Sequence, residues 1–150
     1  MESCTTRLAE RDDIPAMVAL LEQLFALEAD FTPAPQRQRL GLACLLDARS
    51  ARVWVAIVDR AVVGMCTVQV LVSTAEGGSV GLIEDVVVDE AHRGRGIGRA
   101  LLAQAEAWAA DAGLTRLQLL ADVANATALR FYAKHGWSTT QLVALRKRLA

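Results

Sequence analysis

Residues 84–102 read EDVVVDEAHRGRGIGRALL, and their order decides the fold. After its two acids the segment is β-branched and apolar, the composition of a strand. Arg93, Arg95 and Arg99 then interleave with Gly94, Gly96 and Gly98, and Leu101 and Leu102 open a helix. Glycine lets the backbone turn sharply and approach a ligand, while the first N–H groups of a helix have no partner within it. Those donors, the positive end of the helix dipole and the arginines together suit an anion such as a pyrophosphate.

Two phosphate loops are excluded. A P-loop ends in Gly-Lys-Ser/Thr, which is absent, and a GxGxxG dinucleotide fingerprint beginning at Gly94 needs glycine where Arg99 stands. What is left is Arg93-x-x-Gly96-x-Gly98. A second segment runs Asn125-Ala126-Thr127-Ala128-Leu129-Arg130-Phe131-Tyr132-Ala133-Lys134-His135-Gly136-Trp137. It puts Asn125, Ala128, Leu129 and Tyr132 on one helical face, with a glycine where the helix ends. In both segments the chain resembles the GCN5-related N-acetyltransferase (GNAT) family. The family signatures are Arg/Gln-x-x-Gly-x-Gly/Ala between strand and helix and, later, Asn-x-x-Ala-x-x-Phe-Tyr-x-x-x-Gly-Phe; Trp137 replaces the last phenylalanine. The resemblance runs from about Arg52 onward.

The resemblance implies an α/β fold with a mixed central β-sheet flanked by helices, the acyl-CoA N-acyltransferase (GNAT) fold. In it the strands at 80–88 and 116–121 splay apart to admit the pantetheine arm of acetyl-CoA, and the first two helices line the acceptor pocket. It further implies that Arg93, Gly94, Arg95, Gly96, Ile97, Gly98 and Arg99 hold the pyrophosphate. Backbone groups of Val86, Val87 and Val88 would bind the pantetheine, one amide polarising the thioester carbonyl. Asn125 would hydrogen-bond the pantetheine amide region, or else serve as an ordinary helix cap. A homodimer is a family expectation for which the chain shows no interface signature.

One hundred and fifty residues suit a single domain, 1–150, able to bury a core without metal or disulfide staples. A hydrophobic share of 53% beside 22% charged residues describes a well-packed soluble chain, and no apolar run has the length of a membrane span. The polar start MESCTTRLAERDD does not read as a secretory signal, so the expected location is cytoplasmic. A net charge of −1 speaks against nucleic acid or an acidic membrane as partner. Cys4, Cys44 and Cys66 show no CxxC spacing, and with only His92 and His135 beside them they suggest no metal cage. Cys66 lies in an apolar alternation and reads as a buried structural thiol rather than an acyl carrier.

Outward from the motifs, residues 6–9 read as a short strand. Asp12 or Asp13 caps a helix with Pro15 in its first turn and Met17, Leu20, Leu21 and Leu24 on its apolar face. A second helix covers 36–46. Strands at 53–58 and 62–72 are joined by a hairpin turn at Asp59-Arg60-Ala61, and Glu76-Gly77-Gly78 leads to the strand at 80–88. A helix at 98–110 follows, with Leu101, Leu102, Ala105 and Trp108 inward. The strand 116–121, the Asn125 helix and an extended stretch at 138–149 complete the chain. A strand, a long helix and a second strand in that order predict a parallel crossover, hence a mixed sheet.

Acetyl transfer to an amine requires a neutral nitrogen, a polarised thioester and a proton for the departing thiolate. An alkylamine with a pKa of roughly 10.4 is mostly charged at neutral pH, so a base is needed. Glu84 and Asp85 are adjacent acids in an apolar strand, where desolvation raises a carboxyl pKa. Strict alternation sends Glu84 to one face with Leu82, Val86 and Val88, and Asp85 to the other with Ile83 and Val87, so that one acid faces substrate. By the resemblance it is Glu84, a general base acting through a water; alternatively either acid pairs with an arginine or with loop backbone. Tyr132 is the implied general acid, against simple packing of its ring in the core.

The expected function is transfer of the acetyl group of the cosubstrate acetyl-CoA to a primary amine of a small molecule, by direct attack in a ternary complex. The stretch Ile83-Glu84-Asp85 ahead of Val88 is similar to that of aminoalkylphosphonate and glucosamine-6-phosphate acetyltransferases. A protein N-terminus or lysine as acceptor stays open, as does a noncatalytic acyl-CoA-binding sensor. The residues that choose the acceptor lie in 24–47 and 72–81, where no motif speaks.

Overall fold

β-branched and small residues alternate along the strands, and a computed structural model gives their arrangement for residues 3–28 and 30–150. Met1 and Glu2, which open the polar N-terminal stretch, and Ala29, within the segment 24–47, lie outside the described residues. Strands β1 (Thr5–Leu8), β2 (Ala51–Val58), β3 (Ala61–Ser73), β4 (Gly78–Val88) and β5 (Leu117–Leu119) form one sheet in that order. The first four pair antiparallel, and β5 runs parallel to β4 after the helix α3 (Ile97–Asp111), so the sheet is mixed as expected. Helices α1 (Ile14–Leu27) and α2 (Pro35–Asp47) precede β2, and α4 (Ala126–Lys134) follows β5. The chain divides into two compact units, residues 1–119 and 120–150.

Side chains opposite one another in an antiparallel ladder share a face. Val53, Val55, Met65 and Val87 form one such row, and Met17, Leu20 and Leu21 of α1 with Leu42 of α2 close over it. The opposite row, Trp54, Ala56, Gly64 and Cys66, receives α3, which buries Ile97, Leu101, Leu102, Ala105 and Ala109. Each large apolar side chain so buried contributes roughly 1.5–3 kcal/mol, and each alanine methyl roughly 0.8 kcal/mol. Trp108 is half-buried, and Ala109 takes the inward position expected of it. The Trp108 indole instead lies edge-on to Trp54 at 5.7 Å, with the Arg52 guanidinium 5.3 Å from its centroid.

Local chemistry explains the other departures from expectation. Asp13 occupies the N-cap position of α1 without capping it, because its carboxylate accepts two bonds from Arg7, at 2.7 and 2.9 Å, and one from the Glu10 N–H. A bidentate guanidinium is a stronger partner than a helix N–H. The hairpin turn falls where expected but is one residue shorter: Ala61 pairs with Val58 in the ladder, and Asp59 and Arg60 both take positive φ, 47° and 67°, as a two-residue turn demands. The strand expected at 116–121 shrinks to Leu117–Leu119, since its registered pairs with β4 end at Ile83. Residues 138–149 form no strand: no ladder partner is registered for them. Among the described residues no helix is long and apolar enough to cross a membrane.

Two glycines play opposite parts. A Cβ on Gly64 would lie 3.0 Å from Leu101 Cδ1 and 3.3 Å from the Val87 carbonyl oxygen, whereas one on Gly41, inside α2, would meet nothing within 4 Å. Gly64→Ala is therefore expected to cost about 1–3 kcal/mol through overpacking. Gly41→Ala is expected to add about 0.5–1 kcal/mol by removing glycine from a helix interior. Urea titration of the two variants checks both signs.

Candidate active site

The ladder between β3 and β4 slips once. Cys66 pairs with Val86 and Val68 with Ile83, which leaves Thr67 opposite both Glu84 and Asp85. This is a β-bulge with the extra residue in β4. The Asp85 N–H donates to Thr67 Oγ1 at 3.1 Å, and Thr67 is fully buried. An inserted residue reverses the side-chain parity of a strand. Counting forward from Leu82, opposite Gln69, puts Glu84 on the face of α1 and α2; counting back from Val87, opposite Met65, puts Asp85 there too. The expectation of opposite faces is thus corrected, and both acids line one cavity.

That cavity has a volume of about 300 Å³. Leu21 and Phe25 of α1 with Leu42 and Leu45 of α2 make its apolar wall, and Gln69, Glu84 and Asp85 its sheet side. Burial pushes the Asp85 carboxyl up to about 7; the negative charges of Glu84 and Glu28 add to the rise, and a hydrogen bond with Thr67 opposes it. Cys66 is buried as expected, and burial, aided by the charges of Asp85 and Glu106, pushes its thiol up to about 12. Such a thiol stays protonated and unreactive at neutral pH.

Because β5 ends at Leu119, the edge of β4 has no β5 partner beyond Ile83. At its end the chain enters a turn built around Asp89. The carboxylate of Asp89 accepts from Gln23 Nε2 at 2.9 Å and from the Ala91 N–H at 3.1 Å, and it lies 2.9 Å from His92 Nδ1. Gln23 Oε1 in turn accepts from the Glu90 N–H. The Gln23 amide, followed by His92, holds the Asp89 carboxyl below the usual carboxylate range. Gly94 and Gly96 take φ of 76° and 80°, and Gly96 is the N-cap of α3. This left-handed geometry is what glycine supplies without strain. It turns the chain so that the N–H groups of Ile97, Gly98 and Arg99, which a helix leaves without internal partners, face one way.

The sequence profile of the Acetyltransferase (GNAT) family matches residues 18–137. The chain belongs to this family. Over 137 residues, 91% of this chain and 86% of the relative, it is 31% identical to an aminoalkylphosphonate N-acetyltransferase of Salmonella typhimurium. The crystal structure of a transcriptional regulator from Bacillus halodurans C-125 matches it with a TM-score of 0.84 and 27% identity, covering 98% of this chain and 100% of that one. An aminoglycoside N-acetyltransferase in complex with CoA shares the fold at 16% identity, with a TM-score of 0.86 and coverage of 100% and 97%. The protein is an acyltransferase, and acetyl-CoA is the acetyl donor of its family.

The residues of this GNAT chain fit that donor. The turn from Gly94 to Gly96 carries no Cβ at either positive-φ position, and a helix N-terminus follows it directly. Arg93 Nε donates to the Val88 carbonyl at 3.0 Å and Arg95 Nη2 to the Ala91 carbonyl at 3.3 Å, so these guanidiniums also brace the turn. Arg99 is exposed on the first turn of α3. The Ile97 side chain is core, which leaves its N–H as its contribution, and Gly98 follows within the same turn. Val87 likewise buries its side chain, while Val86 and Val88 are half-buried.

The other two proposed site residues lie in the 120–150 unit. Asn125 caps α4, its Oδ1 accepting from the Ala128 N–H at 3.0 Å, which leaves the cap silent on its Nδ2 donors. Tyr132, two turns later, is half-buried and edge-on to Phe131 and Trp137 at 5.3 and 5.9 Å. Gly136 ends the helix as read, its N–H on the Ala133 carbonyl and that of Trp137 on the Tyr132 carbonyl. Gln23, Phe25, Phe31, Gly41 and Gln69 were not singled out in the sequence. They come from four separate segments and share no local pattern.

Two outcomes test this geometry. Gly96→Val, which forces a branched side chain to φ near 80°, is expected to weaken CoA binding in calorimetry at least about 30-fold, against roughly fivefold for Arg95→Ala; equal losses would remove the division between shape and charge. For Asp85 the folded pKa, about 7, lies above the usual 3.8, so the native state binds the extra proton between those values and stability falls as pH rises through that window. Asp85→Asn should therefore raise the melting temperature by roughly 3 °C or more at pH 8 and leave it unchanged near pH 4.

Proposed function

We propose that this GNAT protein transfers the acetyl group of acetyl-CoA to the primary amine of a small molecule by direct attack in a ternary complex. The observation that carries this reading is the order of features along one strand. The acid pair Glu84 and Asp85 faces a cavity, the unpaired edge at 86–88 follows, and the anion-binding turn comes next. When bound, the thioester supplies an acyl carbon activated toward amines.

The chain supplies the rest. Glu84, exposed at the cavity, reaches the acceptor ammonium through a water and acts as general base; Asp85 shares the proton. Moving a proton from an amine of pKa roughly 10.4 to a carboxyl at about 7 is easier by roughly 4 kcal/mol than to one at 3.8. Burial of Asp85 therefore lowers the thermodynamic cost of freeing the nitrogen. The main-chain N–H groups of Val86 and Val88 lie on the free edge of β4 and serve the acyl oxygen and arm, whereas Val87, like Asp85 and Asp89, turns its N–H toward β3. The role the resemblance gives Tyr132 is a hydrogen bond from its hydroxyl to the departing sulfur. A cavity of about 300 Å³ favours a small amine over a folded protein surface.

Acceptor-dependent thiol release across small amines and peptides tests the reading. Small amines are expected to drive release, with kcat/KM falling as pH drops through about 7, where Asp85 takes up its proton. Asp85→Asn should erase that limb. Glu84→Gln should lower kcat at least about tenfold and move the limb to lower pH, because the Glu84 charge helps hold the Asp85 proton. Preference for peptides, or tight CoA binding with no acceptor-dependent release, would overturn the reading.

A further inference from the structure

The cavity also carries information on which amine it takes. We propose that its acceptors are amines with an apolar, uncharged body, such as arylalkylamines and alkylamines, and that it discriminates against amines bearing an anionic group, aminoalkylphosphonates included. This deepens the acetyltransferase reading and rests on it.

Three observations converge. Glu84 and Asp85 stand side by side on the sheet wall, and among the described residues lining the cavity there is no lysine, arginine or histidine. A phosphonate needs cationic or N–H donors, and here it would meet carboxylates. Two like charges about 8 Å apart at an effective dielectric near 20 disfavour each other about 30-fold. The facing wall is mainly hydrocarbon, from the leucines of α1 and α2 and the Phe25 and Phe31 rings 5.3 Å apart; Gln38 and a third acid, Glu28, also line the cavity, and that acid again favours a cation over an anion. Gly41 is the third. It stands in the interior of α2, where glycine weakens a helix, and no neighbour requires the missing Cβ. Its absent side chain adds room to the cavity it lines. One end of the site thus suits an ammonium and the remainder an apolar body.

The test compares 2-phenylethylamine and hexylamine with 2-aminoethylphosphonate, by thiol release at pH 8 and by calorimetric titration onto CoA-saturated protein. The apolar amines should exceed the phosphonate at least about 30-fold in kcat/KM and should bind measurably where it does not. Gly41→Arg, which sets a cation where a Cβ has open space, should cut that preference at least tenfold, whereas Gly41→Leu should weaken 2-phenylethylamine without helping the phosphonate. If Gly41→Arg does not fold, the wild-type ratios decide alone. Equal or better use of the phosphonate by the wild type overturns the acceptor class and leaves the acetyltransferase reading intact. No release with any amine, on a protein that binds CoA, overturns both.

Discussion

Where Thr67 faces two residues of β4 instead of one, the hydrogen bond from the Asp85 N–H to its hydroxyl satisfies a backbone group that the ladder has released. A buried N–H left without a partner would cost about 1–3 kcal/mol, so an apolar residue in place of Thr67 would press the ladder back into register. With the hydroxyl in place the bulge is stable, and much of the site follows from it. Side-chain parity reverses, both acids turn to the helical face, and β4 twists more strongly. The β4–β5 ladder ends at Ile83, the last residue before the bulge, which is where a bent strand would leave a straight neighbour.

Helix α1 ties the two halves of the site together. Leu21 and Phe25, four residues apart and therefore on one face, line the cavity, while the Gln23 amide between them reaches the turn after β4 and grips both Asp89 and the Glu90 N–H. A rigid helix buried by Met17, Leu20 and Leu21 thus positions the cavity wall and the turn after β4 at once. The partly exposed bonds of the turn are individually modest in energy; their effect is to hold the chain in one conformation before a ligand arrives.

Folding places Asp85 where its charge is disfavoured, beside Glu84 and in the field of Glu28. A core built for stability alone would not keep this pair. A group poised near neutral pH is useful for proton transfer, and perturbed carboxyls of this kind cluster at functional sites. The same strand that carries the acids runs on into the glycine-rich turn, so the chemistry and the binding proposed above share a single backbone segment.

Local order made much of this legible in the amino-acid chain. Periodicity marks the helices and β-branched runs the strands, Asp59-Arg60-Ala61 marks the place of the hairpin, and Arg93, Gly96 and Gly98 mark the turn from strand to helix, because each depends on residues a few positions apart. The short β5, the unladdered stretch at 138–149 and the Arg7 claim on Asp13 escape such reading, since each is decided by a partner distant in sequence or by the lack of one. So does the facing of the acids: two-residue alternation divides Glu84 from Asp85, and it fails because Thr67, eighteen positions earlier, accepts a bond that inserts a residue into the pleat. Chemical type was written in the chain; which groups share a cavity followed from register, a property of two strands at once.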